Sequence, residues 1–138
     1  MRIYIAGPYC PRDVSLHDAA RVAHQNVQRV IAKFHELKAE GHEPFVPHLS
    51  HYLHLEGDED YADWWIEYDL TFLDYWAEAI YMMDGWKKSF GSLREEAYAR
   101  KLGLEVLYET QPLNLAAVGG AVATVLKLRR KKDEREGI

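Results

Sequence analysis

The sequence predicts a single α/β domain, built as a parallel sheet of four to five strands with helices on both faces. Short runs of β-branched and aromatic residues alternate along the chain with longer segments whose apolar residues recur every three or four positions. Strands that alternate with helices in this way form parallel sheets with right-handed crossover connections. The length of 138 residues suits one domain.

The first part of the chain predicts the order strand, helix, strand. Residues 2–6 (RIYIA) form a strand-like run that stops at Gly7-Pro8. Helical spacing of apolar residues then extends from Leu16 to Leu37, and Gly41 is placed to end that helix. Residues 43–47 (EPFVP) are a second strand candidate with prolines at its margins.

The chain after residue 47 predicts two further helix–strand pairs and a last helix. We expect a loop or short helix over residues 48–59, an amphipathic helix over 60–76, a third strand over 78–83, a helix from about Ser92 to Leu102, a fourth strand over 104–108 and a last helix over 113–128. Residues 1–110 are assigned to the α/β domain, and residues 111–138 to a C-terminal helix and basic tail of the same domain. This order is that of a flavodoxin-like or Rossmann-like sheet, in which ligands bind beyond the carboxyl ends of the strands.

The charge distribution argues against nucleic acid as a partner. The net charge is −5, and residues 56–84 contain ten Asp and Glu residues but no Lys or Arg. Nucleic-acid affinity depends on neutralising phosphates, for which an acidic body is poorly suited. The basic run at residues 127–132 is interpreted as a solvated helix end.

Membrane and secretory roles are not expected either. The longest weakly polar stretch, residues 113–126, is about 14 residues long, whereas a membrane-spanning helix needs about 20. The N-terminal residues do not follow a signal-peptide plan, and a single cysteine, Cys10, excludes an intramolecular disulfide framework. We therefore expect a cytoplasmic protein without a membrane partner.

Asp69 differs from the other acids of its predicted helix. Its neighbours at helical spacing include Trp65, Phe72 and Trp76, so it lies on or beside the apolar face, whereas Asp63 and the other acids fall on the wet side. A carboxylate near a core costs free energy unless it is paired, and burial would raise its pKa towards values useful for acid–base chemistry. From spacing alone, a structural Asp that bonds a backbone group or an Arg remains open.

Glu95 lies just after a turn that contains Ser89, Gly91 and Ser92. This turn follows a strand and precedes a helix, so its backbone N–H groups and the helix dipole are available to an anion. From the residues alone a structural role is favoured, because Ser92-x-x-Glu95 fits a capping box in which Glu95 bonds back to the Ser92 N–H.

The loop Gly7-Pro8-Tyr9 after the first strand would let a ligand approach the backbone closely. His48 follows the second strand, and it is the first member of a H-x-x-H-x-x-H run with His51 and His54. On a helix these side chains would diverge, whereas zinc ligands must converge. We therefore predict no metal, and interpret His48 or His51 as a substrate contact, with His48 assigned to the site.

Cofactor motifs are missing from the sequence. It contains neither a G-x-G-x-x-G dinucleotide fingerprint nor a Walker A motif. Cys10 has no neighbour that marks it as an activated nucleophile, so we interpret it as a bystander. No cofactor is expected.

Three motifs together resemble the nucleoside 2-deoxyribosyltransferase-like superfamily, which includes the 2′-deoxynucleoside 5′-phosphate N-hydrolases and related small proteins. Residues 3–8 (IYIAGP) are similar to its first strand and glycine loop, Asp69-Leu70 to its helix motif, and Ser89-x-Gly91-x-x-x-Glu95 to its S/D-x-G-x-x-x-E motif. The resemblance covers about residues 1–108. It departs from the family at residues 85–88, where the loop before Ser89 is longer.

The resemblance implies roles for these residues. Glu95 would be the nucleophile on the sugar C1′, Asp69 the acid and base beside the departing nucleobase, and Tyr4 the residue that orients Glu95. Gly7 and Gly91 would let the backbone approach the ligand. The resemblance also implies a parallel α/β sheet and a homodimer or higher homo-oligomer.

Ser89 selects among the reactions of this superfamily. Relatives that transfer deoxyribose have Asp at this position, whereas the nucleotide hydrolases have Ser, which can contact a 5′-phosphate. We therefore expect an N-glycosidase that hydrolyses a nucleoside 5′-monophosphate, and a small-molecule nucleotide or nucleoside as the only partner besides another copy of the chain. The alternatives are a nucleoside 2-deoxyribosyltransferase acting on unphosphorylated nucleosides and a non-catalytic nucleotide-binding module.

Overall fold

The computed structural model describes residues 1–50 and 62–110 together with Gly137. Within them, strands β1 to β4 cover Arg2–Ala6, Glu43–Phe45, Ala79–Met82 and Glu105–Tyr108, helices α1 to α3 cover Leu16–Ala39, Ala62–Tyr75 and Phe90–Lys101, and short 3-10 helices cover Pro47–Ser50 and Trp86–Lys88. The predicted α/β class is confirmed. The predicted helix over residues 113–128 lies outside the described residues, as do residues 51–59 of the expected loop and residues 60–61 of the helix predicted to follow it.

The four strands form one parallel sheet in the order β2-β1-β3-β4. From β1 the chain moves outward to β2, then returns to the other side of β1 as β3 and continues to β4. The carboxyl ends of β1 and β3 therefore lie at the point where the chain reverses its direction across the sheet, which is where open α/β sheets bind ligands.

Side chains of β1 alternate between the two faces of the sheet. Ile3 and Ile5 pack with Val30 and Leu37 of α1 in one buried cluster. Tyr4 packs on the opposite face, in a second cluster with Leu73 of α2 and Ala99 of α3. The strand period of two residues thus directs Tyr4 towards the helices that follow β2 and β3.

Helix α3 begins two residues before the predicted start. Its N-cap is Ser89, whose side chain accepts a hydrogen bond from the Ser92 backbone N–H at 3.3 Å. Ser92, predicted as the first helical residue, is buried within the first turn. The difference arises because two serines three residues apart both fit the N-cap pattern, and the earlier one is placed to accept the bond.

None of the described helices is both long enough and apolar enough to cross a membrane.

Candidate functional site

A cavity of about 710 Å³ opens at the carboxyl ends of β1 and β3. Its walls come from the loop after β1, part of α1, the 3-10 helix after β2, one side of α2 and the first turns of α3. Nine of the residues singled out in the sequence line it: Gly7, Pro8, Tyr9, His48, Asp69, Ser89, Gly91, Ser92 and Glu95. Tyr4 reaches the same site from the sheet beneath, through its bond to Glu95.

Glu95 is held by Tyr4. The phenol donates a hydrogen bond to Glu95 Oε1 at 2.5 Å, and the Tyr4 side chain is completely buried. Burial raises the pKa of Glu95 to about 8, although the Tyr4 hydrogen bond favours the ionised form, and the nearby Asp69 charge raises that pKa further. Burial and the two neighbouring carboxylates raise the pKa of Tyr4 well above its ordinary value, so Tyr4 remains a donor.

Asp69 faces the same cavity from the middle of α2. Among the described residues, no hydrogen-bond or ion-pair partner of its carboxyl is found. Burial raises the pKa of Asp69 to about 7. Two carboxyl groups with raised pKa values therefore face one cavity, and at neutral pH they can hold one proton between them.

The alternative capping role of Glu95 is wrong. Its carboxyl bonds Tyr4 on the sheet, and the helix is capped by Ser89 instead. A capping box needs the glutamate at the third helical position, whereas the earlier start of α3 places Glu95 more than one turn inside the helix. Its side chain can therefore turn towards the sheet and the cavity.

The first turn of α3 forms one end of the cavity. Besides capping the helix, Ser89 Oγ accepts a bond from the Ser92 hydroxyl at 3.1 Å. A Cβ atom placed on Gly91 would meet nothing within 4 Å, so this stretch of backbone is open on the side where a side chain would stand. The backbone N–H groups at the start of a helix attract anions.

His48 lies in the 3-10 helix after β2 and turns its ring towards the loop after β1. Nε2 is 3.1 Å from the Gly7 carbonyl oxygen and 3.0 Å from that of Pro8. Among the described residues, no group of three or more potential metal ligands is found. His51 and His54, the other members of the histidine run, lie outside those residues.

Several cavity residues were missed by the sequence reasoning. Arg12, in the loop after β1, and Lys88, beside Ser89, bring positive charge to the cavity, and Asn26 of α1 and Trp65 of α2 also line it. Arg12 and Lys88 lie in the connections that follow β1 and β3, at the carboxyl ends of the strands where such a sheet binds ligands. Positive residues in these connections could therefore have been predicted to contact a ligand. Trp65 is one helical turn before Asp69, which the spacing also showed. Asn26 gave no signal, because a polar residue on a surface helix has no distinctive pattern.

Comparison with known proteins adds a family but no activity. Neither the curated proteins nor the solved structures yield a significant match to the chain. Residues 1–108 match one family model, which extends from the first strand to the end of the fourth and so includes every wall of the cavity that the structure describes. The chain belongs to that family, which is described as a domain of unknown function, DUF4406.

Proposed function

We propose that the protein is an N-glycosidase that hydrolyses the bond between base and sugar in a nucleoside 5′-monophosphate. The observation that supports this most directly is the juxtaposition of Glu95, held by Tyr4, and Asp69 in one cavity. Paired carboxyl groups are the usual equipment for cleaving glycosidic bonds through an oxocarbenium-like transition state. The motif resemblance to the nucleoside 2-deoxyribosyltransferase-like superfamily supports the same reaction class.

In the proposed first step, Glu95 attacks the sugar C1′ and the bond from C1′ to the base breaks. The Tyr4 hydroxyl occupies Glu95 Oε1, which leaves Oε2 as the attacking oxygen. The protonated Asp69 donates its proton to the departing base nitrogen, so that the base leaves neutral. The sugar phosphate is then bound to Glu95 as an ester.

In the second step, water replaces Glu95 at C1′. The Asp69 carboxylate accepts a proton from the water, whose oxygen forms the new bond to C1′ while the ester bond to Glu95 breaks. The products are a free base and a sugar phosphate, and both carboxyl groups return to their starting states. If a second nucleobase replaced water, the same steps would exchange bases.

The phosphate end of the substrate is assigned to the first turn of α3. Ser89 can donate its hydroxyl to a phosphate oxygen, and the open backbone at Gly91 adds N–H donors. Arg12 and Lys88 line the same cavity and supply compensating positive charge. A site with this local charge can take an anion although the chain as a whole is acidic.

The proposed reaction is tested with a panel of ribo- and deoxyribonucleosides and their monophosphates, each with and without added nucleobases. Chromatography of the products separates the three functions. Free base from monophosphates supports the proposal, exchanged nucleosides would show a transferase, and saturable binding without products would show a nucleotide-binding module.

Glu95→Gln and Asp69→Asn should each abolish product formation. Glu96→Gln is the matched control, because Glu96 is the next residue in the chain but bonds Arg100 and Tyr108 rather than facing the cavity. Full activity in Glu95→Gln would overturn the proposed nucleophile.

A homodimer or higher homo-oligomer and a cytoplasmic location remain expectations from the resemblance and from the sequence. Light scattering on the purified protein measures the first, and fractionation of cells measures the second.

A further inference from the structure

His48 is a buried hydrogen-bond donor to two consecutive backbone carbonyls. Its Nε2 lies 3.1 Å from the oxygen of Gly7 and 3.0 Å from the oxygen of Pro8. Carbonyl oxygens only accept hydrogen bonds, so Nε2 must hold the proton that is shared between them. In the neutral ring, Nδ1 is then the acceptor.

The other ring nitrogen makes protonation of His48 unfavourable. Nδ1 is buried and has no hydrogen-bond partner among the described residues. Protonation would place a charge in the interior and an N–H group without an acceptor. Burial lowers the pKa of His48 to about 4; the Gly7 and Pro8 carbonyls oppose that shift, and the charge of Arg29 on α1 adds to it.

A second side chain ties down the next residue of the loop. Asn26 of α1 donates from Nδ2 to the Tyr9 carbonyl at 2.8 Å, and the Tyr9 ring packs edge-on against His48 with ring centres 6.0 Å apart. The carbonyl oxygens of Gly7, Pro8 and Tyr9 thus all accept hydrogen bonds from side chains on two different elements. On its other side the loop rests on Met83, whose Cβ would lie 2.7 Å from a Cβ added at Gly7.

We infer that His48 and Asn26 are positioning residues, which hold residues 7–9 as a fixed wall of the cavity, with His48 donating from its Nε2–H group. The wall follows β1, the strand that carries Tyr4, and lines the same cavity as the proposed nucleophile Glu95. His48 then affects a bound ligand through this segment and takes no part in proton transfer. The inference goes beyond the proposed reaction and does not depend on it.

Cys10 offers a local measurement, because it is the only cysteine of the chain, is exposed and directly follows Tyr9. A nitroxide label on Cys10 should give an immobilised electron paramagnetic resonance spectrum in the unaltered protein. His48→Leu should lose much of that immobilised component, because it removes the donor to both carbonyls. His48→Gln, whose amide N–H can reach the same carbonyls, should restore it. His24→Gln is the control, since His24 is an exposed histidine of α1.

Asn26→Asp provides a second, independent variant, because a carboxylate cannot donate to the Tyr9 carbonyl. Like His48→Leu, it should reduce the immobilised component of the spectrum of the label at Cys10. If His48→Leu does not fold, the mobility of residues 7–9 can still be tested with Asn26→Asp. Equal immobility of the label in the folded variants and the unaltered protein would overturn the inference.

The protonation state is measured on the unaltered protein. Nitrogen NMR at pH 7 should show His48 as the neutral tautomer with its proton on Nε2. An imidazolium at this pH, or the tautomer with the proton on Nδ1, would overturn the assigned role irrespective of the outcome of any nucleotide assay.

Discussion

The Tyr4 hydroxyl donates a hydrogen bond to Glu95 Oε1 at 2.5 Å, between residues 91 positions apart in the chain. Tyr4 belongs to the central strand β1, and Glu95 lies on the buried side of α3. The bond fixes the orientation of a carboxyl group that burial would otherwise leave as an isolated polar group. Sheet and helix thereby cooperate to present one oxygen of Glu95 to the cavity.

Replacing Glu95 with Gln should stabilise the fold at alkaline pH. The pKa of Glu95 is raised from the ordinary 4.5 to about 8, so between these values the folded protein retains a proton that the unfolded chain has lost. Stability therefore falls as pH rises through this window. One pKa unit corresponds to about 1.4 kcal/mol, so Glu95→Gln should gain a few kcal/mol above pH 8 and little near pH 4. Denaturant unfolding at both pH values measures the difference, and an equal effect at both would contradict it.

The pH dependence of hydrolysis should be bell-shaped with a maximum between about pH 7 and pH 8. The proposed reaction requires an ionised Glu95 and a protonated Asp69, and their pKa values are raised to about 8 and about 7. Because Glu95 has the higher pKa, this reactive form is the less populated of the two singly protonated forms, and its population is highest between the two pKa values. Below both pKa values Glu95 is protonated and cannot attack C1′. Above both pKa values Asp69 is ionised and cannot donate a proton to the base. Initial rates of base release across this range provide the measurement. A rate that rises steadily to pH 10 would argue against Asp69 as the acid.

Two substitutions should shift the pKa of Glu95 in opposite directions. Tyr4→Phe removes the hydrogen bond that favours the ionised form, so the pKa should rise and base release should slow. Asp69→Asn removes a neighbouring negative charge, so the pKa should fall. Carbon NMR of labelled glutamate side chains follows both titrations directly. Shifts of the same sign would contradict the described environment of Glu95.

Replacing Ser89 with Asp should weaken the binding of substrates that have a phosphate and leave the binding of unphosphorylated substrates nearly unchanged. Aspartate is as good an N-cap as serine, so α3 should keep its stability, but a carboxylate at this position repels a phosphate. We expect weaker binding of nucleoside monophosphates, by about tenfold or more, with little change for unphosphorylated nucleosides. Titration calorimetry with both ligand classes measures this, and equal losses for both would place the phosphate elsewhere.

Gly7→Ala should destabilise the protein, because the added Cβ would lie 2.7 Å from Met83 Cβ. Overpacking of this kind costs about 1–3 kcal/mol. Gly91→Ala is the matched control. Nothing lies within 4 Å of its added Cβ, and alanine in a helix is favoured over glycine, so this variant should be at least as stable as the parent. Thermal unfolding of both variants tests this difference in stability. Equal melting temperatures for Gly7→Ala and Gly91→Ala would contradict the prediction.

The strands and α1 were predictable because their signals are local. The run at residues 2–6 and the glycine at position 41 mark element ends through backbone preferences that act over a few residues. The start of α3 was not predictable, since Ser89 and Ser92 are both favourable N-cap residues. Choosing between them requires knowing that Glu95 bonds Tyr4 and so needs to lie deeper in the helix.

The sequence by itself determined the α/β order, the carboxyl ends of the strands as the place for a ligand, and the unusual position of Asp69 on its helix, because these follow from periods of two and 3.6 residues and from turn chemistry. Only the tertiary structure decided that Glu95 faces Tyr4 and Asp69, that Arg12 and Lys88 share their cavity, and that His48 and Asn26 secure residues 7–9. These contacts join segments far apart in the chain, and the pKa values of the two carboxyl groups depend on burial. Neither the long-range contacts nor the burial is defined until the sheet and helices have packed together.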